Sequence, residues 1–317
     1  MHNLKYIICS VSSGMCNRLI PFITSYRLAM KLNIPYYLHW DDKCNDMDYK
    51  YIGTTTTYDD MFEKIHGVNY LDNNELYKLL SDQNKTLRIG YMQSDLYKYS
   101  VSDILKYDVI YFTYYTHPVY IKEDNIIIEN YSSIDWIINK STYLKDIQKY
   151  FEYLKPVKNI QNKIDEVLCI FPDSYDNIIG FHIRHWPSNW ECDNKNLIEG
   201  NMEQRIKLMK EAIEKNNNIK FYICSTNLII IKMLINLFGE RIIYFKNRFG
   251  NNQEDMYYTN NINESVGNIY KNLNGVVDLF LLSKCNTIIG DVASSYSINS
   301  TLLNKHSTYI QIKNEKY

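Results

Sequence analysis

The 317-residue chain carries 35 basic and 36 acidic residues, a formal net charge of -1, with 45% hydrophobic and 22% charged residues. These are the proportions of an ordinary globular protein, and the length suits two domains of about 150 residues. Balanced charge gives no electrostatic reason for a nucleic-acid or anionic-membrane partner, and no apolar run approaches the roughly 20 residues that span a bilayer. The N-terminal Met1-His2-Asn3-Leu4-Lys5 leads straight into a strand and lacks signal-peptide shape, which points to a cytoplasmic protein. Seven scattered cysteines without a CxxC pair read as small hydrophobes rather than zinc ligands. The abundance of Ile, Lys, Asn and Tyr, with 30 Tyr, reads as A/T-rich codon bias.

In chain order, Lys5 to Val11 is an apolar strand and the turn Ser12-Ser13-Gly14-Met15-Cys16-Asn17-Arg18 leads into an amphipathic helix. Leu19, Phe22, Ile23, Tyr26, Ala29 and Met30 share one face of that helix, and Pro21 is placed in its first turn. Pro35 to Trp40 is a second strand, which makes a right-handed βαβ unit. Between Asp41 and Asn130 the pattern is harder: a helix near Asp59 to His66, then strands at Leu87 to Met92, Val109 to Thr113 and Asn125 to Ile128. Helices at Ser141 to Leu154 and Val157 to Cys169 flank Pro156, and the domains are set at 1–153 and 154–317. A regular alternation follows. A strand from Ile178 that ends by delivering His182-x-Arg184 into a loop, and strands at Lys220 to Cys224, Arg241 to Phe245, Thr287 to Gly290 and His306 to Ile312, are separated by helices. Those helices are Asn201 to Lys215, Leu228 to Phe238, Ser265 to Cys285 and Ser295 to Leu303. Helices between short apolar strands imply parallel sheets covered on both faces, and two such Rossmann-like halves imply a central cleft.

Four motifs fall at the carboxyl ends of strands, where α/β sheets bind ligands. Gly14 to Arg18 opens a helix whose N-terminus suits an anion, though standing alone the residues favour a purely structural turn. His182-x-Arg184-His185 ends a buried strand; Arg184 offers either a phosphate clamp or the partner of a structural carboxylate. Ser225-Thr226-Asn227 is an N-cap or a ligand edge. In the last motif a helix carries Asp278, and Asp291-Val292-Ala293-Ser294-Ser295 opens another helix with either Ser as N-cap or phosphate site; an Asp facing the cleft could accept two hydrogen bonds from a guanine edge. Asp46-Met47-Asp48 reads as a solvated loop rather than a metal site.

Taken in order, these motifs resemble the nodulation-type and core (α1,6-like) fucosyltransferase superfamily, GT-B glycosyltransferases that use GDP-fucose. Gly14-Met15-Cys16-Asn17-Arg18-Leu19 resembles its Gly-Leu-Gly-Asn-Arg-Leu turn, and Trp40, Cys44 and Met61-Phe62 its spaced aromatic pattern. Pro156, Ile160, Ile164 and Ile179 to Arg184 resemble its donor-domain entry, Phe221 to Asn227 its Thr-Asp strand, and Val277-Asp278 through Ser295 its last motif. The chain departs at Cys16, at His185 in place of a second arginine, and at Asn227 in place of an aspartate.

The resemblance implies an N-terminal acceptor-side domain and a C-terminal donor domain facing a cleft, binding a nucleotide sugar and a glycan acceptor without cofactor or metal. Gly14, Asn17, Arg18, His182, Arg184, Ser225, Thr226, Asp278, Ser294 and Ser295 would contact the donor. Arg184 and His185 would stabilise the departing diphosphate, and Glu191, with Asp193 and His185 as rivals, would take the acceptor proton. Trp186 and Trp190 can stack on a sugar or pack in their loop. The departures leave two other readings: transfer from another GDP- or UDP-linked sugar, and a catalytically silent nucleotide- or carbohydrate-binding protein. No feature of the sequence sets an oligomeric state.

Overall fold

The structure, a computed structural model, describes residues 3–11, 15–40, 56–81, 85–89, 97–113, 119–122, 125–128, 141–183, 195–225, 227–246, 265–291 and 294–312. The chain divides into two compact units, Met1–Val157 and Lys158–Tyr317.

The first unit runs β1 (Tyr6–Val11), helix Met15–Leu32, β2 (Tyr36–Trp40), helix Tyr58–Met61, β3 (Val68–Leu71), helix Asn73–Ser81 and β4 (Thr86–Ile89). It continues with β5 (Tyr97–Ser100), helix Val101–Ile104, β6 (Val109–Thr113), β7 (Val119–Lys122), β8 (Asn125–Ile128) and helix Ser141–Phe151. Five strands pair in parallel in the order β3-β2-β1-β6-β4. The strand at 125–128 joins a separate antiparallel sheet, β5-β8-β7, rather than the parallel one.

Helix Met15–Leu32 differs from its amphipathic reading. From Arg18 to Ala29 every residue is buried, while Met30, expected on the apolar face, is 52% exposed. The helix packs against β1 and β2 and also against helix Ser141–Phe151, so its outer surface is covered too. Arg27, 2% exposed, donates from Nε to Asp146 Oδ2 at 2.7 Å, and Lys31 Nζ reaches the same oxygen at 2.7 Å. Burial pushes the Asp146 carboxyl up, but the hydrogen bonds from Arg27 and Lys31 outweigh it and hold it below the ordinary value. Pro21 lies in the second turn, not the first, because the helix already starts at Met15. Its missing N–H therefore costs a bond to Asn17. The helix ends where Asn33 takes φ 53° and Ile34 N bonds back to Ala29 O at 3.0 Å, a left-handed cap that asparagine tolerates.

The second unit runs helix Lys158–Leu168, β9 (Ile178–Ile183), helix Lys195–Lys215, β10 (Lys220–Ser225), helix Leu228–Phe238 and β11 (Ile242–Ile243). Helix Ser265–Ser283, β12 (Thr287–Asp291), helix Ser295–Leu302 and β13 (Thr308–Ile312) complete it. All five strands are parallel in the order β11-β10-β9-β12-β13, the doubly wound arrangement. Phe181, Ile183, Phe221, Ile223 and Ile289 alternate onto one face and meet Met209 and Leu234 there. Each such side chain contributes about 1.5–3 kcal/mol on burial. On the other face, a Cβ at Gly180 would sit 2.5 Å from Leu282 Cδ1 and 2.9 Å from Cys285 Sγ. Glycine there lets helix Ser265–Ser283 approach the sheet. The two sheets with their flanking helices are the two Rossmann-like halves expected from the sequence. Among the described residues no helix is long and apolar enough to cross a membrane.

Candidate functional site

The centre of the second sheet opens at its carboxyl edge. β9 and β12 pair from Ile179↔Thr287 to Phe181↔Ile289 and then part, although β9 continues to Ile183 and β12 to Asp291. Their outer partners stay paired to the end, at Ser225↔Ile183 and Asp291↔Ile312. The split falls at the point where the strand order reverses, the position at which doubly wound sheets bind ligands.

His182, the first residue of β9 beyond the last pair, is 8% exposed and points to the face covered by helix Ser295–Leu302. Its Nδ1 lies 3.0 Å from Ser294 Oγ and 3.0 Å from Ser297 Oγ, and its ring stacks on Tyr296 with centroids 4.8 Å apart. Ser294 is the N-cap of that helix, its hydroxyl accepting from Ser297 N. Gly290 makes the approach possible: a Cβ there would lie 2.6 Å from Ser297 Cβ. Tyr296 in turn donates its hydroxyl to Gly275 O on helix Ser265–Ser283. The helix thus starts beside the split, and its N-terminus carries the partial positive charge of a helix end.

A buried ion pair adjoins this seam. Arg205, 2% exposed on helix Lys195–Lys215, donates from Nη2 to Asp291 Oδ1, whose side chain keeps 22% exposure. The Asp291 carbonyl also accepts from Tyr309 Oη at 3.0 Å and from Ser294 N at 3.2 Å. Burial, with the Asp291 charge second, pushes the Tyr309 phenol up to about 12 against the opposing hydrogen bond from Ser297 and charge of Arg205. Tyr309 therefore stays a hydrogen-bond donor across the working pH range.

No protein-family model and no curated protein matches the sequence. Solved structures do match. Fucosyltransferase NodZ from Bradyrhizobium superposes with a TM-score of 0.54 at 13% identity over 95% of this chain and 94% of that one. A NodZ α-1,6-fucosyltransferase co-crystallised with GDP gives 0.56 at 13% over 99% and 97%. A point variant of Arabidopsis thaliana FUT1 in complex with GDP gives 0.58 at 12% over 99% and 71%. The likeness is one of fold. It gives the two Rossmann-like sheets the GT-B-like character that the motif order implied.

Of the residues singled out in the sequence, His182 and Ser294 are brought into hydrogen-bond distance, and Ser295 follows in the same turn, half buried. Ser225, 2% exposed at the end of β10, accepts from Asn227 N at 3.2 Å. Asn227 itself caps helix Leu228–Phe238, its side chain accepting from Ile229 N and Ile230 N. Asp278 is 1% exposed and accepts a hydrogen bond from Tyr222 Oη in the layer between β10 and its own helix. Asn17 and Arg18 lie in the first unit, where Arg18, 1% exposed, has its guanidinium carbon 4.9 Å from the centre of the Trp40 ring. Gly14, Arg184, His185, Trp186, Trp190, Glu191, Asp193 and Thr226 lie outside the described residues, as do Cys44, Asp46 and Asp48. Among the described residues no group of three His, Cys, Asp or Glu is placed to hold a metal ion.

Sequence reasoning missed Tyr222, Arg205, Asp291, Tyr296 and Ser297. Two signals pointed to them. Glycines inside the strand patterns at 180 and 290 mark close approach of another element. Arg205 stands alone on a helix face otherwise set by Met202 and Met209, three and four residues away.

Proposed function

We propose that the chain is a metal-independent, inverting fucosyltransferase that moves fucose from GDP-fucose to a hydroxyl of a glycan. One observation carries the reading: the sheet of the second unit splits between β9 and β12, and His182 and the Ser294-capped helix meet there. A split edge with a helix N-terminus accommodates a diphosphate. Similarity in fold to fucosyltransferases solved with GDP supports guanine nucleotide as the donor class.

In this reading Arg184, two residues after His182 in sequence, grips the diphosphate with its forked donors. The bond from fucose C1 to the diphosphate oxygen breaks through an oxocarbenium-like state, and the acceptor oxygen attacks from the opposite face. Charge growing on the leaving diphosphate falls to Arg184, His185 and the helix at Ser294–Ser295. The acceptor proton passes to a base, assigned to Glu191 with Asp193 and His185 as alternatives. Ser225 and Thr226 border the donor, and Gly14, Asn17 and Arg18 belong to the acceptor-side unit. Arg184→Ala should abolish transfer from GDP-fucose while leaving the unfolding curve unchanged; full transfer by that variant would sink the assignment.

A second donor fits one specific observation. Asp278, its Oδ1 bonded to Tyr222 Oη, is 1% exposed, so it reads a guanine only by exchanging the side chains that bury it for the ring. A nucleotide sugar with another base needs no such exchange, and a thermal-shift series across GDP- and UDP-sugars separates the two donors.

A further inference from the structure

The Arg205–Asp291 pair has no part in the reaction as just described, yet it stands on the split itself. Asp291 is the last residue of β12, and Arg205 reaches it from the opposite layer. The two ends of the pair differ in burial: the guanidinium side chain is 2% exposed and the carboxylate 22%. A buried ion pair offsets the cost of desolvating its charges only when its remaining lone pairs and protons are also hydrogen-bonded. Here the cation is sunk and the anion is left at the mouth of the seam. Three tethers fix that anion: Arg205 on Oδ1, and Tyr309 Oη and Ser294 N on its own carbonyl.

We propose that Asp291 is a specificity-determining residue that accepts hydrogen bonds from hydroxyls of the nucleotide sugar, with Arg205 as the residue that positions it. The inference rests on the nucleotide-sugar reading of the same edge. Chemistry selects the partner. A carboxylate repels phosphate oxygens, so the diphosphate lies toward the Ser294 helix end, and what approaches Asp291 carries donors. A pair of neighbouring hydroxyls, on the ribose or on the transferred sugar, matches the two oxygens of a carboxylate. Arg205 has two effects. It orients the carboxylate, and it cancels most of its field so that a diphosphate can bind one turn of chain away. The donor is thereby given a direction across the edge, phosphates over helix Ser295–Leu302 and hydroxyls over the end of β12.

The test is a calorimetric titration of the full chain, wild type and Asp291→Asn, with GDP, 2′-deoxy-GDP and GDP-fucose. Asparagine keeps an acceptor for Arg205 and removes the charge. If Asp291 only bears on the seam electrostatically, removing its charge next to a diphosphate tightens GDP binding or leaves it unchanged. If it accepts hydroxyls, binding weakens by roughly tenfold or more, the scale of losing hydrogen bonds to a charged acceptor. A loss for GDP that vanishes with 2′-deoxy-GDP assigns the ribose. A loss confined to GDP-fucose assigns the sugar. Equal or tighter binding of both GDP and GDP-fucose by Asp291→Asn overturns the inference and leaves the transferase reading standing. If the wild type binds UDP-sugars and not GDP, the guanine donor fails, and the same comparison run with UDP and 2′-deoxy-UDP decides Asp291. A wild type that binds no nucleotide overturns both. Should Asp291→Asn fail to fold, Arg205→Met combined with Asp291→Leu removes both charges at similar volume and is read in the same way.

Discussion

The two sheets share a plan and differ at one seam. In each, five parallel strands are arranged about the unit's first strand, β1 or β9, with the strand order reversing beside it. In the first unit the pair at that reversal stays joined, β1 to β6, from Tyr6↔Val109 through Ser10↔Thr113. In the second the corresponding pair, β9 and β12, parts after Phe181↔Ile289. The difference follows from what covers the edge. Gly290 admits helix Ser295–Leu302 close to the strand, and Ser294 and Ser297 engage His182 from it. Polar side chains and a helix end take the place of ladder bonds. The first unit fills its edge differently, with Ser10 Oγ 2.7 Å from His39 Nδ1 and His39 Nε2 3.1 Å from Asn73 Oδ1 across the ends of neighbouring strands. On the proposed reading, topology alone does not make a doubly wound sheet an anion site: the seam at the reversal opens as well.

Four substitutions sharpen this contrast, in falling order of expected effect on stability. Arg27→Ala strips the buried cation from Asp146 in the first unit and should cost about 3 kcal/mol, the low end for breaking a buried pair because Asp146 is partly exposed. Urea unfolding reads that loss, and GDP affinity should not move. The same pair sets an acid limit. Asp146 titrates below the ordinary Asp value in the folded chain, so its stabilisation is complete above about pH 4 and is lost as pH falls through the folded value. Arg27→Ala should flatten that acid limb.

Gly290→Ala comes next, at about 2 kcal/mol for forcing a methyl group against Ser297. Unlike Arg27→Ala it should also remove GDP binding, because it displaces the helix that opens the seam. Ser294→Ala loses a cap and a partner of His182, about 1–2 kcal/mol, with a measurable fall in GDP affinity by calorimetry. Asn227→Ala loses a cap of similar kind at the end of β10, about 1 kcal/mol, with GDP binding intact. A fall in affinity from Asn227→Ala equal to that from Ser294→Ala would erase the distinction between the seam and the rest of the edge.

Local chemistry made much of the second unit legible. Helix Leu228–Phe238 occupies the span that its apolar pattern predicts, β9 starts at the expected Ile178, and β10 and β12 lie within a residue of their expected ends, because turn residues bound each short apolar run. The small sheet of the first unit was less legible, since β5 and β7 are four-residue strands of mixed polar and apolar residues, too short for an alternation to stand out. Helix Met15–Leu32 showed a period but not its surroundings: being covered on several sides depends on the helix at Ser141–Phe151, more than a hundred residues later. The site follows the same rule. His182 was visible as the end of a strand, but Ser297 lies 115 residues away in sequence, and only packing decides that the two meet. Asp278 was legible as a carboxylate in an apolar helix; its bond to Tyr222 was not, because a tyrosine in a buried strand reads as core.

Hydrogen–deuterium exchange on the full chain, with and without GDP, addresses the seam most directly. Added GDP should slow exchange at the end of β9, Phe181 to Ile183, and from Ser294 through the first turns of helix Ser295–Leu302, while β1 and β6 exchange as before. Protection confined to the ends of β1 and β6, with the split edge of the second sheet unaffected, would contradict the account.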